Sequence, residues 1–229
     1  HRGFSPIPPG SPEDAVFETA WNYEAGLRLN LGNTQAEAIG FLSEYDNLTG
    51  QCTLSGGCTD AQLDTQFNGG QAQVYGIEST LGQQMELPRG LTLDLDLSYA
   101  WTHATFLSSF LSEFPQFGRV ESGDFLPYVP AHQGGAGLAL LHDRGSLSLK
   151  STGRSGMRNE AGAQDVAKAQ QIPAHIQHDL AVQARFSDHW SVYSSITNIT
   201  GKRHVESWRP LGARPTAPFQ AMVGVKAEI

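Results

Sequence analysis

Along this chain, greasy and wet side chains alternate in stretches of about ten residues, and the connections between stretches are by turns short and long. Leu91 to Phe106 shows the pattern best. Leu91, Leu93, Leu95, Leu97, Tyr99 and Trp101 fall on one side, and Thr92, Asp94, Asp96, Ser98 and Thr102 on the other. Successive side chains of a strand point to opposite faces, so this segment has one apolar and one polar face. Similar stretches run Asn22 to Leu31, Gln35 to Asp46, roughly Gln71 to Leu81, His132 to Leu141, Ser146 to Ser155, His175 to Phe186, Trp190 to Thr200 and Phe219 to Ile229. The third alternates weakly. The eighth alternates poorly, so its facing stays open.

Nine strands and no long helix predict an all-β fold. The connections after the first, third, fifth and seventh strands are short, such as Gly32-Asn33-Thr34 and His142-Asp143-Arg144-Gly145. Those after the second, fourth, sixth and eighth are long and polar. This is the order of an antiparallel up-and-down meander with one plain end and one elaborated end. Transmembrane β-barrels are built this way, with short periplasmic turns, long extracellular loops, apolar faces outward and polar faces inward. The strand length suits a tilted membrane crossing. Tyr99 and Trp101 are then expected near the outer interface and Phe186 and Trp190 near the inner one. If the last strand ends at the periplasm, 1–21, 47–67, 107–130, 156–174 and 201–216 are extracellular. The Ala-rich middle of Gly156 to Pro173 is expected to form a short helix.

Composition narrows the choice. Of 229 residues only 17% are charged and 39% hydrophobic, both low for a soluble domain, while 25 glycines suit polar loops between strands. The net charge of −8 argues against nucleic acid as a partner. No apolar run approaches a membrane helix, so any membrane crossing is by strands. The chain opens on His1 without a signal peptide, which reads as a processed chain or a fragment. Cys52 and Cys58 lie in a polar connection with no further soft ligands nearby. A small disulfide-closed loop outside the cytosol is favoured there, with two unpaired thiols as the alternative.

Candidate chemistry is thin. His175-x-x-His178-Asp179 resembles a metal or catalytic cluster, but residues three apart on a strand face opposite ways and cannot chelate together. Gly153-Arg154-Ser155-Gly156-Met157 resembles a nucleophile elbow without its final Gly or a following helix. Gly134-Gly135-Ala136-Gly137 opens a strand rather than a helix, so it is no dinucleotide loop. Asn47-Leu48-Thr49 and Asn198-Ile199-Thr200 match the glycosylation triplet by chance. No catalytic residue, metal site or cofactor is expected. Glu78, Asp94, Asp96, Arg28, Arg185, Lys150 and Lys226 fall on wet faces, as the lining of a lumen or as a solvated wall.

Several motifs, taken in order, resemble TonB-dependent outer-membrane receptors. Gly3-Phe4-Ser5-Pro6 followed by Trp21-Asn22-Tyr23-Glu24-Ala25-Gly26 is similar to their loop-to-strand start. Phe67-Asn68-Gly69-Gly70 with Gly76-Ile77-Glu78 resembles a Gly-x-Glu strand, and Leu126-Pro127-Tyr128-Val129-Pro130-Ala131-His132-Gln133 a proline-bracketed strand start. Asn198-Ile199-Thr200-Gly201-Lys202-Arg203-His204 is similar to a penultimate Asn-Leu-x-Asp-Lys-x-Tyr motif, with Gly201 in place of Asp and His204 in place of an aromatic. The chain ends in Ile229, where such barrels usually end in Phe. The start and the loop cysteines look most like ferric-citrate-type siderophore receptors.

The resemblance implies a 22-stranded barrel around a plug, of which nine strands are the C-terminal part. Nothing in 1–229 resembles the plug or the TonB box. It further implies uptake of a ferric chelate, energised by the TonB-ExbB-ExbD system through the missing N-terminal region, in contact with outer-membrane lipid and with no covalent chemistry. Arg119, Arg154, Arg158, Arg209 and Arg214, with Arg2 and Arg203, lie in the expected extracellular loops or at strand ends. They would supply forked cationic donors to an anionic chelate. Phe117 and Tyr128, with Phe114 and Phe125, would pack on its organic part. A passive porin and a soluble β-sandwich binding module are the alternatives. Two open strand edges in hydrocarbon would cost on the order of 100 kcal/mol, so nine strands are not expected to close a barrel alone.

Overall fold

In a computed structural model, described for residues 18–51, 66–112, 116–164, 166, 171–208 and 212–227, nine strands form one antiparallel sheet. They are β1 (Thr19–Leu31), β2 (Thr34–Asp46), β3 (Ala72–Leu87), β4 (Leu91–Phe106), β5 (His132–His142), β6 (Gly145–Arg154), β7 (His175–Ser187), β8 (Trp190–Thr197) and β9 (Gln220–Ala227). Every strand pairs with its neighbours in sequence, so the sheet is an up-and-down meander as expected. The connections 32–33, 88–90, 143–144 and 188–189 gather at one end, and 47–71, 107–131, 155–174 and 198–219 at the other.

Three boundaries differ from the sequence reading by three residues or more, and several others by one. β3 continues past Leu81 to Leu87, because Met85 and Leu87 still pair with Leu93 and Leu91. Consecutive Gln83 and Gln84 mask that alternation. Gln84 turns inward, where its Nε2 donates to Asp94 Oδ1 at 3.0 Å. β1 begins three residues earlier than expected, at Thr19. β8 stops at Thr197, because Asn198 takes a left-handed conformation (φ 52°) and turns the chain. Its backbone N donates to Asp179 Oδ1 at 2.8 Å, and its Nδ2 donates to the carbonyls of Lys202 (2.8 Å) and Ala217 (2.9 Å). Asn198 is almost fully buried and ties both ends of its long loop together. Gly201, at φ 62°, fits the same turn without the strain a side chain would add.

The register separates the two faces. Leu95, Leu138, Leu149, Leu180, Ile196 and Ala221 are successive cross-strand partners and make one apolar row over six strands. One residue along, Asp96, Gly137, Lys150 and Asp179 make a polar row on the other face. The apolar face stays bare: Leu27 is 77% exposed, Phe186 72% and Val223 71%. Such a face is far larger than a soluble monomer leaves open. The facing of β8 is settled by its partners: Val192, Ser194 and Ile196 lie on the apolar side with Val225, Val223 and Ala221. Phe186 and Trp190 flank the short-turn end, and Tyr23, Tyr99 and Trp101 stand toward the loop end. Tyr75 meets Trp101 edge-on, and the Tyr99 hydroxyl lies 2.8 Å from His132 Nδ1.

The polar face is the concave one. A trough of about 700 Å³ along it is lined by residues of six strands, among them Arg28, Glu37, Thr80, Asp96, Ser98 and Lys150. Arg28 donates to Glu37 within it. The buried core is small and lies at the loop end, where Ala72, Phe106 and Val120 pack with Tyr45, Leu48, Phe110, Phe117, Leu126 and Ala161.

Two substitutions test these placements in the whole receptor held in lipid vesicles. Leu138→Arg, on the apolar face, is expected to lower unfolding stability by about 2–4 kcal/mol, and Thr152→Arg, on the concave face, by under about 1 kcal/mol. Equal costs would refute the facing. Asn198→Ala is expected to lose about 2–3 kcal/mol, from two hydrogen bonds and left-handed strain, and Asn198→Gly about 1 kcal/mol less.

Candidate functional site

Each long connection rises from the sheet as a small two-stranded ladder. These join Thr49–Gln51 with Gln66–Asn68, Phe110–Leu111 with Arg119–Val120, Met157–Arg158 with Gln171–Ile172, and Val205–Ser207 with Arg214–Pro215. The sequence reading missed these ladders, since two- and three-residue strands carry no alternation to detect. Of the expected Ala-rich helix, 161–164 form bends and an isolated bridge, while 165 and 167–170 lie outside the described residues.

The loops are fixed to the strand ends by backbone bonds. Phe106 N donates to Asp124 O at 2.8 Å and Leu126 N to Ala104 O at 3.1 Å, so the chain at 124–126 extends the sheet beside the top of β4. Gly70, at φ 65°, lets the preceding loop close. A Cβ there would meet Ser108 Oγ at 2.1 Å, and that oxygen accepts Gln71 N at 2.8 Å. Phe117 lies inside this cap, edge-on to Phe106 with ring centres 5.9 Å apart. Tyr128 takes a positive φ of 61°, unusual for a bulky residue, and its N donates to Arg158 O at 2.8 Å. Phe125 pairs with Thr105 on the outward side and packs edge-on to His103.

The arginines divide into two kinds. Arg158 holds its own loop, donating to the carbonyls of Gly162 and Gln164, with its guanidinium 5.8 Å from the Phe125 ring centre. Arg154, nine-tenths buried, donates to Pro173 O (3.4 Å) and Val205 O (3.3 Å) and pairs with Glu206 at 3.5 Å. Arg119 and Arg214 sit exposed on two of the ladders. Arg209, Phe114, Arg2, Cys52 and Cys58 lie outside the described residues. Arg119 and Arg214 therefore offer guanidinium groups to the outside, whereas Arg154 and Arg158 organise the loops.

The two histidines of the 175–178 motif face opposite ways, as strand geometry requires. His178 Nδ1 is 2.7 Å from Ser151 Oγ, and Ser151 belongs to the apolar-face rows. His175 pairs in register with Arg154, and its Nε2 lies 3.0 Å from Glu206 Oε1. His204 stacks on His175, ring centres 5.1 Å apart and 17° from parallel, in the position the motif gives to an aromatic. Glu206 is the member of this cluster that the sequence reading did not single out; a lone carboxylate in a polar loop carries no signal until the fold brings it to the wall. A cleft of about 460 Å³ opens beside this group, lined also by Glu78, Ser98 and Gln133. Ser155 leads into an extended ladder with no helix, and its oxygen accepts His132 N at 3.1 Å, so no nucleophile elbow is present there. Among the described residues no three His, Cys, Asp or Glu side chains are placed to hold a metal ion.

Residues 14–199 match the family described as TonB dependent receptor-like, beta-barrel. Several solved structures share the fold at low identity. The ferric-catecholate import receptor Fiu from E. coli K12 gives a TM-score of 0.65 at 16% identity, over 93% of this chain and 28% of that one. The ferric citrate transporter FecA gives 0.66 at 19%, over 92% and 31%. The copper transporter OprC gives 0.66 at 14%, over 94% and 31%. This chain thus spans about three-tenths of the proteins it resembles. No curated protein matches the sequence. The bare apolar face, the polar concave face, the one-sided long loops and the family match agree: the chain belongs to the TonB-dependent receptor family and is a nine-strand segment of its outer-membrane β-barrel.

Proposed function

We propose that this chain is the C-terminal barrel part of an outer-membrane transporter that takes up a ferric chelate, a siderophore complex or ferric citrate, with energy from the TonB-ExbB-ExbD system. The observation that carries the reading is the pairing of a membrane-facing wall with a polar trough, in a chain whose family is established by residues 14–199. The plug and the TonB-contacting segment would lie N-terminal to this chain, with the plug held against the trough. The barrel does no covalent chemistry; it binds, guides and releases.

Iron rather than another cargo is favoured by two of the similar structures, whose names carry ferric ligands, although a copper transporter shares the fold equally well. Arg119 and Arg214, exposed on the loop ladders, would meet an anionic chelate from outside. Phe117, Tyr128, Arg154 and Arg158 would act one step back, by holding the loops that present the ligand, and Arg209 would join Arg214 on its loop. Cys52 and Cys58 would close the first long loop as a disulfide.

The test is uptake of radiolabelled ferric citrate and of a panel of ferric siderophores by iron-starved cells producing the whole receptor. At least one ferric complex is expected to enter, and only with TonB intact. Arg119→Ala with Arg214→Ala is expected to weaken its binding about tenfold or more, since each charged hydrogen bond contributes about 1.5–3 kcal/mol. Uptake indifferent to TonB, or transport of copper with no ferric complex accepted, would overturn the proposal.

A further inference from the structure

The group at the loop end of β6 and β7 has a property that ligand capture does not call for. It is the fastening between the wall and the last long loop, 198–219. On the wall stand Arg154 and His175, partners in register. On the loop stand His204, Val205 and Glu206. Arg154 donates to Val205 O and pairs with Glu206; His175 meets the other oxygen of Glu206 at 3.0 Å; and His204 stacks flat on His175. The Trp208 indole adds a bond to Gln171 O at 3.3 Å. Arg154 and His175 are each about nine-tenths buried, while the Glu206 carboxylate that joins them is 42% exposed, so a change of pH outside reaches the fastening.

We infer that the Arg154–His175–His204–Glu206 group is a pH-sensitive latch that holds the 198–219 loop against the barrel wall at neutral pH and lets it lift when the surroundings turn mildly acidic. The charge count gives the direction. With both imidazoles neutral, the group holds one guanidinium and one carboxylate, and the rings stack without repulsion. A proton added to His175 would sit on Nδ1, which is buried without a hydrogen-bond partner among the described residues and stands beside the Arg154 guanidinium, so the closed latch resists it. A further proton on His204 sets two stacked imidazolium rings beside Arg154 with a single carboxylate to balance three cations. Imidazole is the side chain that makes this change between neutral and mildly acidic surroundings.

The other charges nearby do not rescue the acidic state. Glu78 lines the same cleft, but it sits three strands from Arg154 along the row Glu78, Ala100, Gln133, Arg154. At about 4.8 Å per strand the two backbones are roughly 14 Å apart, and neither ion pair of the group involves Glu78. Lys202 and Arg203, exposed just before His204, add positive charge. Arg154 also opposes a metal cation at this place, so titration rather than metal binding is the chemistry these residues offer. The loop would lift from the buried Asn198, whose Nδ2 holds Lys202 O and Ala217 O, while the bond from Thr216 N to His204 O keeps its two arms together.

The test is hydrogen exchange of the Val205–Ser207 amides in the whole receptor in lipid nanodiscs at pH 7.5 and 5.0, each corrected for the intrinsic rate. Wild type is expected to lose about tenfold in protection at pH 5.0, the effect of one unit of differential protonation. His204→Phe keeps a ring to stack but cannot take a proton, and is expected to hold its protection at both pH values. Glu206→Gln removes the one balancing carboxylate and is expected to lose protection at pH 7.5 as well. Protection in wild type that does not change with pH, an equal loss in His204→Phe, or wild-type protection in Glu206→Gln would each overturn the latch. The experiment needs no transported ligand, so its outcome is independent of what the receptor carries.

Discussion

Backbone hydrogen bonding in a medium without water is the constraint on which this structure depends. Inside hydrocarbon an unpaired N–H or C=O costs several kcal/mol, and a strand carries such groups along both edges. The meander answers this by pairing each strand with its sequence neighbours over long, almost unbroken ladders; β3 and β4 pair without a break from Ala72–Phe106 to Leu87–Leu91. β1 and β9 each pair on one side only within the described sheet. Their free edges need further strands before the wall is stable in a bilayer. That agrees with a chain spanning about three-tenths of the barrel proteins it resembles.

Once the ladders are fixed, one alternation serves two solvents. Leu95 and Asp96 are chain neighbours, yet one belongs to the apolar row and the other to the polar row because successive side chains leave the sheet on opposite sides. A slip of one residue in any ladder would carry its leucines into the trough and its carboxylates into lipid. Packing therefore contributes differently here than in a soluble protein. The wall buries little side-chain surface within itself, and the fully buried groups concentrate where the loops meet the strands, at Phe106, Val120, Ile172 and Asn198.

The sheet was legible in the sequence because the membrane imposes its period on the strands. The leucines of β4 and β6 declare their facing unaided. Where one face lacks contrast the reading falters: Gln83 and Gln84 hid the end of β3, and the serines of β8 left its facing open until Val223 and Val225 supplied partners. The loop end was legible only in outline. Its arginines were recognisable as loop residues, but whether a guanidinium faces outward like Arg119 or inward like Arg154 depends on a carbonyl or a carboxylate dozens of residues away. The distance from Arg154 to Glu206 along the chain leaves no local signal. The motif around Asn198 was visible as a resemblance, and its physical content, a buried amide joining Lys202 and Ala217, emerged only with the fold.

The measurement that tests the account most directly is a nitroxide scan along Leu93 to Tyr99 in the whole receptor in a bilayer, with Cys52 and Cys58 replaced by serine. The account predicts strict alternation: labels at 93, 95, 97 and 99 collide with oxygen dissolved in lipid, while those at 94, 96 and 98 do not. Water-soluble nickel complex reaching both sets alike would contradict a membrane wall and with it the placement of everything built on it.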